Sequence, residues 1–476
     1  MSKYELLDKR VPIALDNPSI VHDLEKCKNC TLCRRACADT MSVLDYYDLE
    51  STNDEPMCIY CGQCAVVCPF GALHAKTQLD LVKEAIADPT KIVVIQTAPA
   101  VRVAIGDGFG YEPGSFLEGK MVGALRALGA DYVVDTNFGA DLTIMEEASE
   151  LVKRLGEGGP IPQFTSCCPA WIRFCEIYYP ELIPQISSAR SCIAMESSMV
   201  KTYFAKEKGI DPKQIVSVSV NPCTAKKYES SRPELNAGSE YWEQDLGQDT
   251  DISITTREFI EWIQGENLDF AAIEESQFDD LIGAETGASI IFGNTGGVME
   301  AAMRTAYKLV TGNEPPPVAL TNLTDVRGME GVKEATVALG DDTTLSVAVV
   351  HGGKNIRTFL DALKSGEKHY DFIEMMACPG GCIGGGGQPR TKLPQTQAFK
   401  EARIAGLYAA DDAREFRSSF ENPEIKRLYD SFLGEPLSHL AHDLLHTHYT
   451  DRSDILGPRK DVTPETCPTS PKFKKD

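Results

Sequence analysis

The sequence predicts a two-lobed α/β domain, with a small cysteine-dense α+β segment before it and a helical segment after it. Three observations lead there. Apolar, β-rich runs alternate with amphipathic stretches through the middle of the chain. Cysteines crowd into two matched runs near its start, and beyond about residue 410 the chain turns polar with helical spacing. At 476 residues it is longer than one typical domain. The expected division is 1–85, 86–410 and 411–476.

Composition narrows the function. A formal net charge of −23 argues against a nucleic-acid partner, because polyanions are bound by Lys and Arg that neutralise phosphates. The opening Met1-Ser2-Lys3-Tyr4-Glu5 has no basic stretch leading into an apolar run, and no segment offers the roughly 18 uninterrupted apolar residues of a membrane span. A cytoplasmic location without membrane contact is expected. The sixteen cysteines cluster at metal-ligand spacing, so most read as thiolate ligands rather than disulfides.

In the first region Cys27, Cys30, Cys33 and Cys37 form C-x2-C-x2-C-x3-C, and Cys58, Cys61, Cys64 and Cys68 repeat it before Pro69. This is the bacterial ferredoxin pattern, in which the fourth cysteine of each run reaches the other cluster. Cys27, Cys30, Cys33 and Cys68 are expected to share one 4Fe-4S cluster, and Cys37, Cys58, Cys61 and Cys64 the second. Zinc or free thiols are the rival, and two matched runs of four speak against it. Ala38 stands where the first run often has proline, which touches the turn and not the ligands. Lys26, Lys28, Arg34 and Arg35 surround the first run and could steer an acidic ferredoxin onto it, or could be a generic charged patch. Two clusters alone would make an electron carrier, so the rest of the chain must supply the chemistry.

The middle region predicts strands at 92–96, 132–134, 216–220, 345–350 and 372–376, with an amphipathic helix over 144–155. Pro315, Pro316 and Pro317 break the chain after the helix-like run 298–310 and are expected to join two lobes. The polar stretch 232–251 is expected to be a surface insertion. Cys168, Cys223, Cys378 and Cys382 each follow a predicted strand, at the edge where open α/β sheets bind ligands. Four thiolates in one crevice make a cage for a further 4Fe-4S cluster.

Three strings carry a resemblance: T-S-C-C-P-A-W (165–171), N-P-C-T-A-K-K-Y-E (221–229) and E-M-M-A-C-P-G-G-C-I-G-G-G-G-Q-P (374–389). In order and separation they resemble the three signatures of FeFe-hydrogenases. The tail at 428–447, L-Y-D-S-F-L-G-E-P-L-S-H-L-A-H-D-L-L-H-T, is similar to the family's small-subunit segment. The resemblance covers nearly the whole chain. It implies a ferredoxin hydrogenase that reversibly reduces protons to dihydrogen at an H-cluster lying between the two lobes. Cys168, Cys223, Cys378 and Cys382 would hold the cube of that H-cluster, with Cys382 bridging to a two-iron unit that carries carbon monoxide, cyanide and a bridging dithiolate amine. Lys226 would donate to a cyanide, Met376 would pack on the two-iron unit, and Pro99 and Ala100 would line the same pocket. It also implies ferredoxin or a similar carrier and the hydrogenase maturation enzymes as partners, and an anaerobic setting.

Dihydrogen formation in a buried site needs titratable groups leading inward. Glu147, Glu150 and Arg154 share one face of the predicted helix. By itself that face reads as a solvated, salt-bridged one, but the resemblance implies a relay of Cys167, Glu147, Ser187, Glu150 and Arg154.

Other features are set aside. His439, His442 and His446 fall at helical spacing and read as packing or surface groups. The run Gly106-Asp107-Gly108-Phe109-Gly110 lacks the strand, G-x-G-x-x-G, helix order of a dinucleotide site. Cys175, Cys192 and Cys467 read as structural thiols. Asn221, where the family usually has Met, and Ser191-Cys192-Ile193-Ala194, where it often has a Gln-containing stretch, depart from the pattern and bear on tuning and on bias towards production or uptake. Two rivals share the resemblance: a hydrogen sensor, and an iron-sulfur assembly scaffold lacking the two-iron unit. Cys167 argues against the first, and Lys226, Met376 and the eight-cysteine segment against the second.

Overall fold

The computed structural model describes residues 10–316, 322–341, 343–390 and 396–472. Met1 to Glu5 and Pro317 lie outside them. Among the described residues ten strands form three sheets: an antiparallel pair of β1 (Ile20–His22) with β2 (Leu73–Ala75), and two four-stranded sheets. The first large sheet orders β4 (Tyr132–Asp135), β3 (Ile92–Thr97), β6 (Ile215–Asn221) and β7 (Ile252–Thr255), all parallel. The second orders β5 (Gln163–Phe164), β10 (Phe372–Met376), β9 (Thr344–His351) and β8 (Val332–Ala338), with only the edge strand β8 antiparallel. These are the two lobes of the predicted α/β domain, and all five predicted strands are present.

Parallel strands need both faces covered, and their runs are apolar for that reason. On β3, Val93 and Ile95 face a core completed by Val82, Met121, Phe259 and Trp262. The alternate residue Val94 faces the opposite core, which Ile425, Leu428, Leu444 and Leu445 of the C-terminal segment help to fill. The tail is therefore part of the first lobe's core. The N-terminal segment is bound to the second lobe in the same way, with Met41, Val43, Leu44 and Tyr47 sharing a core with Trp171, Val350 and Ile373.

One helix, Thr136–Glu157, joins the lobes. Asp135 caps its start by accepting from the Asn137 backbone N–H at 3.0 Å, and Gly158 ends it at φ 74°. Phe138 and Leu142 lie in a core of the first lobe, Ile144 and Leu151 in one of the second. It is longer than the predicted 144–155 because residues 136–144 are buried on every side, so no amphipathic period marks them. The expected break at the prolines follows the helix Gly297–Thr311, but they do not join the lobes: Val298 and Met303 before them share one core with Leu323, Val337 and Leu345 after them.

The stretch 232–251 is not a surface insertion. Its exposed residues, Pro233, Glu240, Glu243 to Asp245, Gly247 and Asp251, alternate with buried ones that anchor it. Arg232 is buried and pairs with Glu176 at 2.7 Å, and Asp249 pairs with buried Arg190 at 2.9 Å while accepting from the Ala237 and Gly238 backbone N–H groups. The polar residues that suggested exposure are ion-paired partners of buried arginines.

Candidate active site

The C-terminal ends of β3, β5, β6 and β10 all feed the space between the lobes, and each carries functional residues. After β5 the chain reaches Cys167 and Cys168. Pro169 then starts the helix Pro169–Tyr178 with Cys168 at its N-cap, where the helix dipole favours a thiolate. Trp171 is wholly buried and donates Nε1–H to the Thr165 carbonyl at 3.1 Å, which closes the loop on itself. After β6 comes Cys223, and after β10 come Cys378 and Cys382. Gly380 and Gly381 between the last two have φ of 89° and 80°, and a Cβ on Gly381 would stand 2.7 Å from the Thr295 backbone nitrogen. That conformation is what returns Cys382 to the same crevice as Cys378.

Burial pushes the Cys223 thiol up to about 12, and burial with the neighbouring thiols raises Cys378 and Cys382 well above their ordinary range. Cys378 is raised by Cys223, Cys61 and Cys168, and Cys382 by Cys168, Cys223 and Cys378, so the four sulfurs face one another. Thiols this crowded and dry become thiolates only against a cation. Among the described residues no three cysteine sulfurs lie within 4.8 Å of one another. A single tetrahedral zinc, with Zn–S near 2.3 Å, needs sulfurs about 3.8 Å apart. The Ala377 backbone N–H donates to Cys168 Sγ at 3.4 Å, a contact of the kind that tunes such clusters.

The N-terminal cysteines show the same signs. Burial and then Cys58 raise Cys37 to about 12, Cys61 is raised by burial and by Cys64, Cys58 and Cys37, and Cys33 by burial with Cys27 and Cys30 as neighbours. Cys68 is buried and Cys30 exposed. The second set abuts the catalytic cage: Thr224 Oγ1 donates to the Tyr60 carbonyl at 2.6 Å, Gln63 Nε2 to the Gly384 carbonyl at 2.8 Å, and a Cβ on Gly386 would stand 2.2 Å from the Cys61 carbonyl oxygen. Glycine alone permits that approach. Arg34 does not belong to the basic patch expected around the first run. It is 5% exposed and pairs with Asp45 at 2.8 Å, leaving Lys26, Lys28 and Arg35 at the surface.

Around the cage, Lys226 Nζ donates to Glu229 Oε2 at 2.7 Å and to the Cys167 carbonyl at 3.2 Å. Burial would lower its ammonium, but Glu229 outweighs that and holds it above its usual range. Ser191 Oγ in turn donates to Glu229 at 2.9 Å. Met376 packs in one apolar cluster with Cys167, Phe292 and Val298, and Cys192 lies in that cluster too. Burial raises the Cys192 thiol to about 11, so this structural thiol sits beside the pocket. Pro99 and Ala100 form a buried turn after β3, and Gln388 Nε2 donates to the Ala100 carbonyl at 3.0 Å and the Cys382 carbonyl at 3.4 Å. The Asn221 amide nitrogen is turned to the Ser219 and Ser253 hydroxyls, each at 2.9 Å.

Glu147 is wholly buried. Its Oε1 accepts from the Ser166 backbone N–H at 3.2 Å, and Oε2 has no partner. Burial, then Glu150, pushes its carboxyl up to about 8, so it holds a proton at neutral pH. Glu150 Oε2 accepts from Ser187 Oγ at 2.6 Å, and Oε1 accepts from Arg154 Nη2 at 2.6 Å. The outer three residues of the expected relay are thus bonded to one another, and the Ser187 hydroxyl also acts on Glu147, partly offsetting the rise in its carboxyl. Glu229, Gln388 and Ser188 went unremarked in the sequence. The i,i+3 spacing of Glu229 from Lys226 was a legible sign; the other two carried none.

Buried thiol cages on parallel-strand ends, wired to a ferredoxin-like segment, define an iron-sulfur oxidoreductase. The comparisons make the class specific. Residues 91–386 match the family model of the iron-only hydrogenase large subunit, C-terminal domain, 397–452 that of the iron hydrogenase small subunit, and 52–74 a 4Fe-4S binding domain. The chain is 45% identical to the NADP-reducing hydrogenase subunit HndD of Solidesulfovibrio fructosivorans, over 92% of its own length and 75% of the relative's. It is 40% identical to iron hydrogenase 1 of Clostridium pasteurianum, over 94% and 77%. A solved structure of a variant of [FeFe]-hydrogenase HydA1 from Chlamydomonas reinhardtii superposes with a TM-score of 0.68 at 42% identity, covering 78% of this chain and 98% of that one. The cytosolic iron-sulfur assembly component 3 of Bos taurus is more distant, at 30% identity over 77% and 76%.

This chain belongs to the iron-only, or FeFe, hydrogenase family. It is a hydrogenase, an oxidoreductase whose cofactors are 4Fe-4S clusters and an H-cluster. Among the described residues no helix is long and apolar enough to cross a membrane.

Proposed function

We propose that the protein catalyses the reversible reduction of protons to dihydrogen, with electrons exchanged through its N-terminal clusters with a ferredoxin-like carrier. Cys168, Cys223, Cys378 and Cys382 would hold the H-cluster, which when bound would supply the redox chemistry. The chain's own residues do the rest. Lys226, fixed by Glu229 and the Cys167 carbonyl, has one N–H left that would donate to an anionic ligand of that cluster, while Met376, Pro99 and Ala100 would keep water from it. Glu147, neutral at physiological pH, passes protons between Cys167 and Ser187, and Glu150 and Arg154 exchange them with solvent. Cys27, Cys30, Cys33 and Cys68 hold the outer cluster, and Cys37, Cys58, Cys61 and Cys64 the inner one beside the cage. Exposed Cys30, with Lys26, Lys28 and Arg35 near it, is where an acidic carrier docks. Maturation enzymes are required partners, and free cysteines throughout suit a cytoplasmic location.

The observation that carries this reading is the wholly buried Glu147 carboxyl between Cys167, next in sequence to the cage ligand Cys168, and the hydrogen-bonded Ser187–Glu150–Arg154 chain. It is tested by infrared spectroscopy of the anaerobically matured protein under hydrogen and then argon, alongside dihydrogen evolution from a reduced dye. Gas-responsive carbonyl and cyanide bands with turnover are expected. Bands without turnover would point to a sensor, and no bands after confirmed maturation to an assembly scaffold.

A further inference from the structure

Glu150 has a second hydrogen-bonded neighbour that the five-residue relay does not use. Ser188 Oγ lies 3.1 Å from Glu150 Oε1 and 2.8 Å from His446 Nδ1. The other ring nitrogen, Nε2, lies 3.0 Å from Glu146 Oε2. That carboxylate also accepts from the Leu437 backbone N–H at 2.9 Å and from the Tyr429 hydroxyl. Glu146 is fully buried and His446 is 4% exposed, whereas Ser188 and Glu150 are part-buried, so the contacts run from the interior towards the edge of solvent.

These contacts leave few ways to place the hydrogens. An ionised Glu146, already accepting two bonds, takes the third from Nε2–H. Nδ1 is then either a bare acceptor or a second N–H. The Ser188 hydroxyl has one hydrogen and two neighbours. If it donates to Nδ1, Glu150 must hold the proton that fills the Ser188–Glu150 contact. If it donates to Glu150, Nδ1 must itself be protonated. The two arrangements differ by one transfer in which Glu150 gives its proton to Ser188 Oγ while the Ser188 hydrogen passes to Nδ1. No heavy atom changes partner, and the charge moves from a neutral pair to a carboxylate and an imidazolium.

We propose that His446, brought in by the C-terminal segment, is a proton-holding and positioning residue on a side branch of the relay, joined to Glu150 through Ser188 and oriented by Glu146. The proposal rests on Glu150 belonging to the relay. Each dihydrogen consumes two protons, whereas the relay is single file. A proton stored one hydroxyl away from Glu150 supplies the second without waiting for solvent. The groups facing His446 are compatible with a charge that comes and goes. The helix Thr136–Glu157 presents Glu146, Glu150 and Arg154. Its own segment presents His442, whose ring stacks at 5.0 Å, while Tyr429 donates to Glu146 and Tyr449 to the Ser187 carbonyl. Arg190 donates Nε–H to the His446 carbonyl and is neutralised by Asp249.

The test uses the matured holoenzyme with a reduced dye, measuring kcat and KM over about pH 5 to 9. Ser188→Ala cuts the branch, His446→Gln keeps a donor for Glu146 but cannot hold a proton, and Ser188→Thr keeps the hydroxyl. Ser188→Ala and His446→Gln are expected to lower kcat about three- to tenfold, leave KM unchanged and alter the pH profile in the same way, while Ser188→Thr keeps the parent profile. Parent kcat with the parent profile, or a fall in kcat with the profile intact, overturns the branch. A readout independent of turnover is nitrogen NMR of histidine-labelled protein lacking the two-iron unit. The His446 Nδ1 signal is expected to move with pH and to respond to Glu150→Gln; a signal fixed across the range overturns the proposal. Glu150→Gln separates the two readings. Retained turnover in that variant removes relay and branch together, whereas loss there, with parent-like Ser188→Ala and His446→Gln, removes the branch alone.

Discussion

Each cage thiol sits within a few residues of a strand end, on a loop whose path is set by the backbone: Pro169 at a helix start, Gly380 and Gly381 in the left-handed region. The proposed relay is made differently. Glu147, Glu150 and Arg154 ride on one helix, Ser187 and Ser188 come from an irregular stretch, and the parts meet only through side chains. A backbone-set cage fails as a unit when one ligand goes, because the cluster needs all its thiolates. A side-chain relay loses rate and leaves the cluster assembled.

Removing a cage ligand therefore has the largest expected effect. Cys382→Ala abolishes carbonyl and cyanide bands and turnover together, with iron falling towards the roughly eight atoms of two 4Fe-4S clusters; bands that survive would break the comparison from the cage side. Next in size, Glu150→Gln lowers turnover about a hundredfold or more with bands and iron content unchanged. Iron lost along with rate would show the relay to be structural.

Glu147 sharpens the contrast through pH. Its folded carboxyl stands at about 8 against an ordinary 4.5. Below about 4.5 it is protonated folded or unfolded. Between those values only the unfolded chain releases the proton, so the folded state loses stability as pH rises, until both forms are ionised above about 8. Melting curves of the parent and Glu147→Gln are expected to diverge across that window, the parent falling behind, and to run parallel beyond it. Parallel curves throughout would place the carboxyl in an ordinary environment. The smallest effect is expected where the inner accessory set meets the cage. Thr224→Val removes the bond to the Tyr60 carbonyl, costing about 1 to 3 kcal/mol, and slows reduction by an electron carrier while turnover from a small dye is spared. Equal loss with both donors would mean the contact serves the cage itself.

The strands, the cage cysteines and the two ferredoxin runs were legible because spacing along the chain carries them: period two and apolar runs for strands, x2 and x3 gaps for ligands. The lobe-joining helix was read only in its half-exposed part, since a helix buried all round leaves no amphipathic mark. Arg232, Asp249 and Arg34 misled for the opposite reason. Charged residues suggest surface, yet here each is buried against a partner distant in sequence, such as Arg232 with Glu176. His446 reads as a packing residue from its helix alone; its link to Glu150 runs through Ser188, some 258 positions away.

By itself, then, the sequence determined which cysteines stand at ligand spacing and in what order the strands and helices run, because those depend on local spacing and local backbone preference. Only the tertiary structure decided which carboxylates keep their protons and which side chains stand next in line to pass them. Burial and hydrogen-bond reach are properties of groups brought together by folding, and no local pattern in the chain encodes them.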